Sequence, residues 1–207
     1  MKTTTHLGFE HIHAPGTTER TLLLLHGTGG TESDLLPLGR SLDPEAHLLS
    51  PRGKVLENGM PRFFRRLSEG VFDEEDLIHR AEELAVFVTN AVEAYGLNPH
   101  RITAVGYSNG ANIASAVMLL HPGVLAHAAL LRGMVPLVPE QPPRLEGKSV
   151  LIASGHLDPI VPASNARQLA GLFREAGADV ALRFENTGHG LTTQTIETTQ
   201  HWLRGLA

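Results

Sequence analysis

Gly106-Tyr-Ser-Asn-Gly110 holds a serine between two glycines, each two positions from it, after an apolar run at 102–105 and ahead of a helical pattern from Asn109. A serine on such a strand-to-helix turn pushes its hydroxyl out into the cleft. Glycines flank it because the turn brings strand and helix backbone too close for a β-carbon. The chemistry that this arrangement serves is nucleophilic attack. A serine alkoxide is inaccessible at neutral pH, so a base must take the proton during attack and a third group must hold that base in the right tautomer.

Both partners follow in the chain, in the order serine, acid, histidine. Asp158 stands in Ser154-Gly-His-Leu-Asp-Pro-Ile-Val-Pro162 after an apolar run at 150–153, and His189 in Asn186-Thr-Gly-His-Gly190 after another at 180–184. The glycines beside His189 let its loop reach over the serine. The expected catalytic set is Ser108, Asp158 and His189. Upstream, His26-Gly-Thr-Gly-Gly30 follows the apolar run Thr21–Leu25, where a loop N–H and the N–H after the nucleophile form an oxyanion hole; Thr28 and Asn109 are the expected donors. Each piece alone has a plainer reading. G-x-S-x-G recurs by chance, Asp before Pro opens turns, and a glycine loop can cradle phosphate, although this one lacks a P-loop lysine and a dinucleotide spacing. Four such features at the ends of four different runs, in the right order, reinforce one another.

The chain has twelve histidines. His6, His11, His13, His47, His79, His100, His121, His127 and His201 read as surface or satisfied core residues, and His156 is close enough to Asp158 in sequence to contact substrate. No H-x-x-x-H or H-E-x-x-H spacing is present, so neither a metal nor any other cofactor is expected.

The elements that position these residues are legible as period. Seven strand-length apolar runs fall at 7–12, Thr21–Leu25, 47–49, 102–105, 126–131, 150–153 and 180–184. Helical spacing is clearest over 73–95, with acidic residues at its start and Gly96 at its end. Further helices are expected at 34–42 behind Ser33 as N-cap, at Asn109–Leu120, at 163–176 and at 192–203. Strands alternating with helices, and strands apolar on both faces, demand a mostly parallel sheet covered on both sides. The expected fold class is α/β, a three-layer α/β/α sandwich of about seven strands forming one domain over residues 1–207. Ligands of such sheets bind beyond the carboxyl ends of the strands, where all four motifs lie.

Composition narrows the partners. With 22 acidic and 17 basic residues, a formal charge of −5 and no basic block, nucleic acid is an unexpected partner. The absence of cysteine removes any dependence on an oxidising compartment, and no apolar run approaches membrane length. Residues 1–9 carry no leader-like run, so the expected location is the cytoplasm.

Gly27-Thr-Gly-Gly30, Gly106-Tyr-Ser-Asn-Gly110, Asp158-Pro-Ile-Val-Pro162 and Gly188-His189 together resemble the phospholipase/carboxylesterase family of α/β-hydrolases, over essentially the whole length. Pro51-Arg-Gly53, Asn58-Gly-Met-Pro-Arg-Phe-Phe64 and Gly70-Val-Phe-Asp-Glu-Glu-Asp76 are similar to a bacterial branch labelled hydroquinone-inducible or dienelactone-hydrolase-like. The resemblance implies an α/β-hydrolase fold without a large lid domain, Ser108, Asp158 and His189 as triad, short-acyl esters as substrates, and often a homodimer. Dienelactone hydrolases proper carry a cysteine nucleophile where this chain has Ser108, which argues against that activity.

The segment 52–72 is too long for a simple connection and is expected to fold over the cleft. Within and near it, Arg52, Phe64, Leu157 and Ile160 are the substrate-binding candidates. Arg62, Arg65 and Arg66 are dense enough to form a solvated face instead. The expected function is hydrolysis of small carboxylic esters, short-acyl or aryl, through an acyl-enzyme. Alternatives are a thioesterase or lysophospholipase for longer chains, a lyase using the same triad, and a binding protein that kept the fold.

Overall fold

The computed structural model describes residues 3–206. Met1 and Lys2, on which the reading of the N-terminus partly rests, lie outside the described residues, as does Ala207. The central sheet contains β1 (His11–Ala14), β2 (Thr21–Leu25), β3 (His47–Pro51), β8 (Ile102–Tyr107), β9 (His127–Leu131), β10 (Ser149–Gly155) and β11 (Asp179–Glu185). Their order across the sheet is β1-β3-β2-β8-β9-β10-β11. Only β1 runs antiparallel to its neighbour; every other pairing is parallel. The result is a mostly parallel sheet of seven strands, as the alternating pattern predicts.

Helices α2 (Glu74–Tyr95), α3 (Asn109–Leu120) and α4 (Ala163–Glu175) pack on one face, where Leu77, Leu84, Ile113, Val117, Leu169 and Phe173 join the apolar side chains of the strands. On the other face, α1 (Leu36–Leu42) and α5 (Thr193–Arg204) close a smaller cluster with Leu22, Leu24, Leu48, Ile196 and Trp202. All five residues of β2 are buried, which is why Thr21–Leu25 reads as a continuous apolar run. No helix among the described residues is long and apolar enough to cross a membrane.

Turn chemistry sets the starts of two helices. Asp73 caps α2, its side chain accepting from Asp76 N–H, and Gly96 ends it at φ 64°. Thr192 caps α5 in a reciprocal box with Thr195. Two expectations are corrected. The first strand begins at His11 and not at Leu7, because Gly8 at φ 85° turns the chain first. The first helix begins at Leu36 with Leu35 at its cap and no side-chain bond; Ser33 is not the cap. Asp34 instead accepts from the Thr31 hydroxyl at 2.8 Å in the preceding turn, and Pro37 sits in the first helical turn, where its missing N–H costs nothing.

Under the sheet edge, His13 stacks on Tyr95 at 4.1 Å and on His47 at 5.5 Å between ring centroids. Burial, then the neighbouring His47 and His11, lowers the His13 pKa from 6.5 to about 4. Between those values the unfolded chain binds the proton that the folded chain refuses, so stability is complete above about pH 6.5 and declines as pH falls toward 4. Urea midpoints measured across this window are expected to drop with pH in the native protein and to drop less in His13→Gln. Parallel slopes would remove His13 as the source.

Candidate active site

The carboxyl ends of six adjacent parallel strands open onto one edge of the sheet. β8 delivers Ser108 at φ 52° and ψ −114°, a backbone conformation that costs about 1–3 kcal/mol unless neighbours enforce it. They do: Ser108 N–H donates to Leu131 O at 2.9 Å, and Asn112 N–H to Ser108 O at 3.1 Å. The flanking glycines are obligatory here, since a β-carbon on Gly110 would run into the Leu25 carbonyl and one on Gly106 into Gly110 backbone.

β10 and β11 pair in register through Gly155 and Glu185, and the loops that leave them stay bonded. His156 N–H donates to Glu185 O at 2.8 Å and Leu157 N–H to Thr187 O at 3.0 Å. Asp158 and His189 are thereby carried toward each other. His189 Nδ1 lies 2.8 Å from Asp158 Oδ2, and His189 Nε2 lies 2.9 Å from Ser108 Oγ. The second carboxylate oxygen, Asp158 Oδ1, accepts Ile160 N–H at 2.8 Å and Val161 N–H at 3.0 Å, so the carboxylate is fixed in place and its side chain is fully buried. A carboxylate only accepts; Nδ1 must therefore carry the imidazole proton, which leaves Nε2 free to accept from the serine hydroxyl. Tyr107, whose phenol pKa is raised by burial, donates to His189 O at 3.2 Å and steadies the loop from below.

The loop after β2 is tied on both sides. His26 Nδ1–H donates to Gly27 O at 2.7 Å and its Nε2 accepts Gly53 N–H at 2.9 Å; burial lowers its pKa and favours this neutral tautomer. Gly29 N–H donates to Pro61 O at 2.9 Å. The Thr28 and Asn109 N–H groups make no hydrogen bond among the described residues, and both residues line the cleft above Ser108. That cleft has a volume of about 380 Å³. Among the described residues no group of three or more His, Asp or Glu side chains is arranged to hold a metal.

Residues 9–206 match the model of the Phospholipase/Carboxylesterase family. The chain belongs to this family. It is 47% identical over 195 residues to a Bacillus subtilis (strain 168) protein described as "Putative hydrolase MhqD", the alignment covering 94% of this chain and 98% of that one. The crystal structure of a Bacillus cereus carboxylesterase superposes with a TM-score of 0.94 at 46% identity, covering 97% of this chain and 95% of the other. A Mesorhizobium loti carboxylesterase superposes with a TM-score of 0.94 at 33% identity, covering 99% and 98%.

In this phospholipase/carboxylesterase chain, residues 52–72 fold over the cleft as two small hairpins. One is β4 (Val55–Glu57) with β5 (Met60–Arg62), the other β6 (Arg66–Ser68) with β7 (Val71–Phe72). Asn109 anchors them through its side-chain oxygen, which accepts Phe63 N–H at 2.8 Å. Three of the four substrate-binding candidates lie elsewhere. Arg52 is held between Glu32 at 2.5 Å and Glu10 at 2.6 Å, away from Ser108. Phe64 is fully buried in the core, edge-on to Phe72 at 5.1 Å. Leu157 is 66% exposed and does not line the cleft. Ile160 does line it. His156, allowed above as a substrate contact, stacks on Phe184 at 4.7 Å instead.

The arginines read as a solvated face divide. Arg65 is exposed and pairs with Asp73 at 3.0 Å, whereas Arg62 and Arg66 line the cleft. Arg132, which the sequence reading did not single out, is fully buried at the end of β9 at φ 56°. It donates to Ala153 O at 3.1 Å, Gly190 O at 3.0 Å and Thr195 Oγ1 at 3.0 Å, and pairs with Glu185 at 3.4 Å. Gly190 directly follows His189, so this buried ion pair braces the histidine loop. A basic residue immediately after an apolar strand was the only signal available for it.

Proposed function

We propose that this protein hydrolyses small carboxylic esters through a serine acyl-enzyme. The observation that carries the reading is the hydrogen-bonded line from Asp158 through His189 to Ser108, at 2.8 and 2.9 Å. Ser108 Oγ attacks the ester carbonyl as its proton passes to His189 Nε2, and Asp158 stabilises the imidazolium that forms. The tetrahedral oxyanion receives the Thr28 and Asn109 N–H groups; each such preorganised donor is worth about 10²- to 10³-fold in rate. His189 then gives the proton to the departing alkoxide, and water, activated by the same imidazole, releases the acid.

Small substrates fit the cleft. Its volume of about 380 Å³ falls near the lower end of the roughly 300–1,000 Å³ typical of ligand sites. The two hairpins that cover it present polar side chains, Arg62, Arg66 and Glu69, beside the apolar Phe72, and Met134 and Ile160 add the few other apolar groups from elsewhere on the lining. A fluorophosphonate probe, followed by mass spectrometry, is expected to label Ser108, and p-nitrophenyl acetate and butyrate to turn over faster than palmitate. A folded protein that takes no label would rule out an activated serine; fastest turnover of palmitate would move the assignment to long acyl chains.

A further inference from the structure

We propose, resting on the esterase reading above, that the Ser108 cleft selects esters that carry a second, ionised carboxylate, held by Arg62 and Arg66. Two guanidinium groups face this cleft and share one carboxylate. Glu57 accepts from Arg66 Nη2 at 2.7 Å and Nε at 3.0 Å, and lies 3.2 Å from Arg62 Nε. Arg62 is the unusual member. Its side chain is only 4% exposed, its Nε donates to Phe64 O at 3.2 Å and its Nη1 to Thr28 Oγ1 at 2.7 Å. Among the described residues Arg62 Nη2 and Arg66 Nη1 make no hydrogen bond.

A buried arginine retains its charge and its fork of donors, and an unshared positive charge in a partly desolvated cleft is stabilised by an incoming anion. Burial and the nearby Arg66 charge already push the Arg62 guanidinium below its ordinary pKa, so the pair gains from added negative charge. The remaining ionised group on the lining, Glu69, is exposed, and solvent screens it far more than it screens Arg62. Through Thr28 the anion site is also tied to the loop whose N–H faces the reacting carbonyl. An ester with its own carboxylate would thus be clamped at one end and presented to Ser108 at the other, with charge-assisted bonds contributing about 10- to 100-fold in affinity.

The test compares p-nitrophenyl hemisuccinate, with the charge on the acyl side, and 4-carboxyphenyl acetate, with the charge on the leaving group, against the neutral p-nitrophenyl butyrate and phenyl acetate. At least one anionic ester is expected to exceed its neutral partner in kcat/KM by about tenfold, and which one does so tells which end of the substrate the arginines hold. Arg66→Gln, whose side chain is partly exposed and whose loss leaves Glu57 balanced against Arg62, is expected to cut that ratio about tenfold through KM. Arg65→Gln removes the same charge outside the cleft and leaves the ratio unchanged. A neutral preference in the native protein, or equal effects of the two substitutions, would overturn the proposal. If no ester turns over, the esterase reading fails by itself, and calorimetric binding of succinanilate decides the anion site: binding that Arg66→Gln weakens supports it, and no binding refutes it.

Discussion

Ser108→Ala is expected to lower ester turnover by about 10⁴- to 10⁶-fold, with unchanged unfolding behaviour. The hydroxyl removed is the proposed nucleophile, and its 2.9 Å bond to His189 Nε2 is only partly buried. Asp158→Asn separates chemistry from architecture more sharply. The asparagine oxygen can still accept Ile160 and Val161 N–H, at 2.8 and 3.0 Å from Oδ1, so the loop keeps its shape. Its amide then donates where the carboxylate accepted, which forces the His189 proton onto Nε2 and leaves nothing to take the serine proton. A loss of about 10⁴-fold in kcat is expected from the wrong tautomer alone. Retention of a tenth or more of the native rate in either variant, measured with p-nitrophenyl acetate, would remove Ser108 or Asp158 from the reaction.

The second large effect is on stability. Arg132→Met is expected to cost about 3–5 kcal/mol, because it leaves the Glu185 carboxylate buried without its counter-charge. Glu185 is 5% exposed and would keep only the Thr192 and Thr195 hydroxyls, at 2.6 and 3.0 Å. The double variant Arg132→Met/Glu185→Gln is expected to recover part of that loss, since no uncompensated charge remains. The double variant also releases Gly190 O from Arg132, 3.0 Å away in the native fold, so its kcat is expected to stay low even where stability returns. Denaturant midpoints for the two single variants and the double, with kcat alongside, read both effects. Additive destabilisation would show that the pair is not coupled.

Much of this molecule was legible because its signals are local. The G-x-S-x-G turn, the Asp73 cap and Gly96 stop of α2, and the strict run of apolar residues in β2 each express a constraint acting within a few residues. The meeting of Ser108, Asp158 and His189 could be anticipated because parallel strands put every carboxyl end, and the loops that leave them, on the same side. Two boundaries near the start misled for an equally local reason: Gly8 at φ 85° turns a stretch whose composition suits a strand, and Thr31 draws Asp34 into a turn ahead of the helix.

By itself, then, the sequence determined the order of elements, the parallel sheet and the three residues at its carboxyl edge, since periodicity and turn chemistry carry that information. Only the tertiary structure decided which side chains of residues 52–72 face the cleft. Arg52 is drawn to Glu32, Phe64 sinks into the core, and Arg62 and Arg66 turn toward Thr28 and Glu57. Short hairpins have no long period to reveal a buried face, and an arginine goes where a carboxylate waits for it. For Arg52 that carboxylate is 20 residues away, and for Arg132 it is 53; such distances in sequence are closed only by the fold.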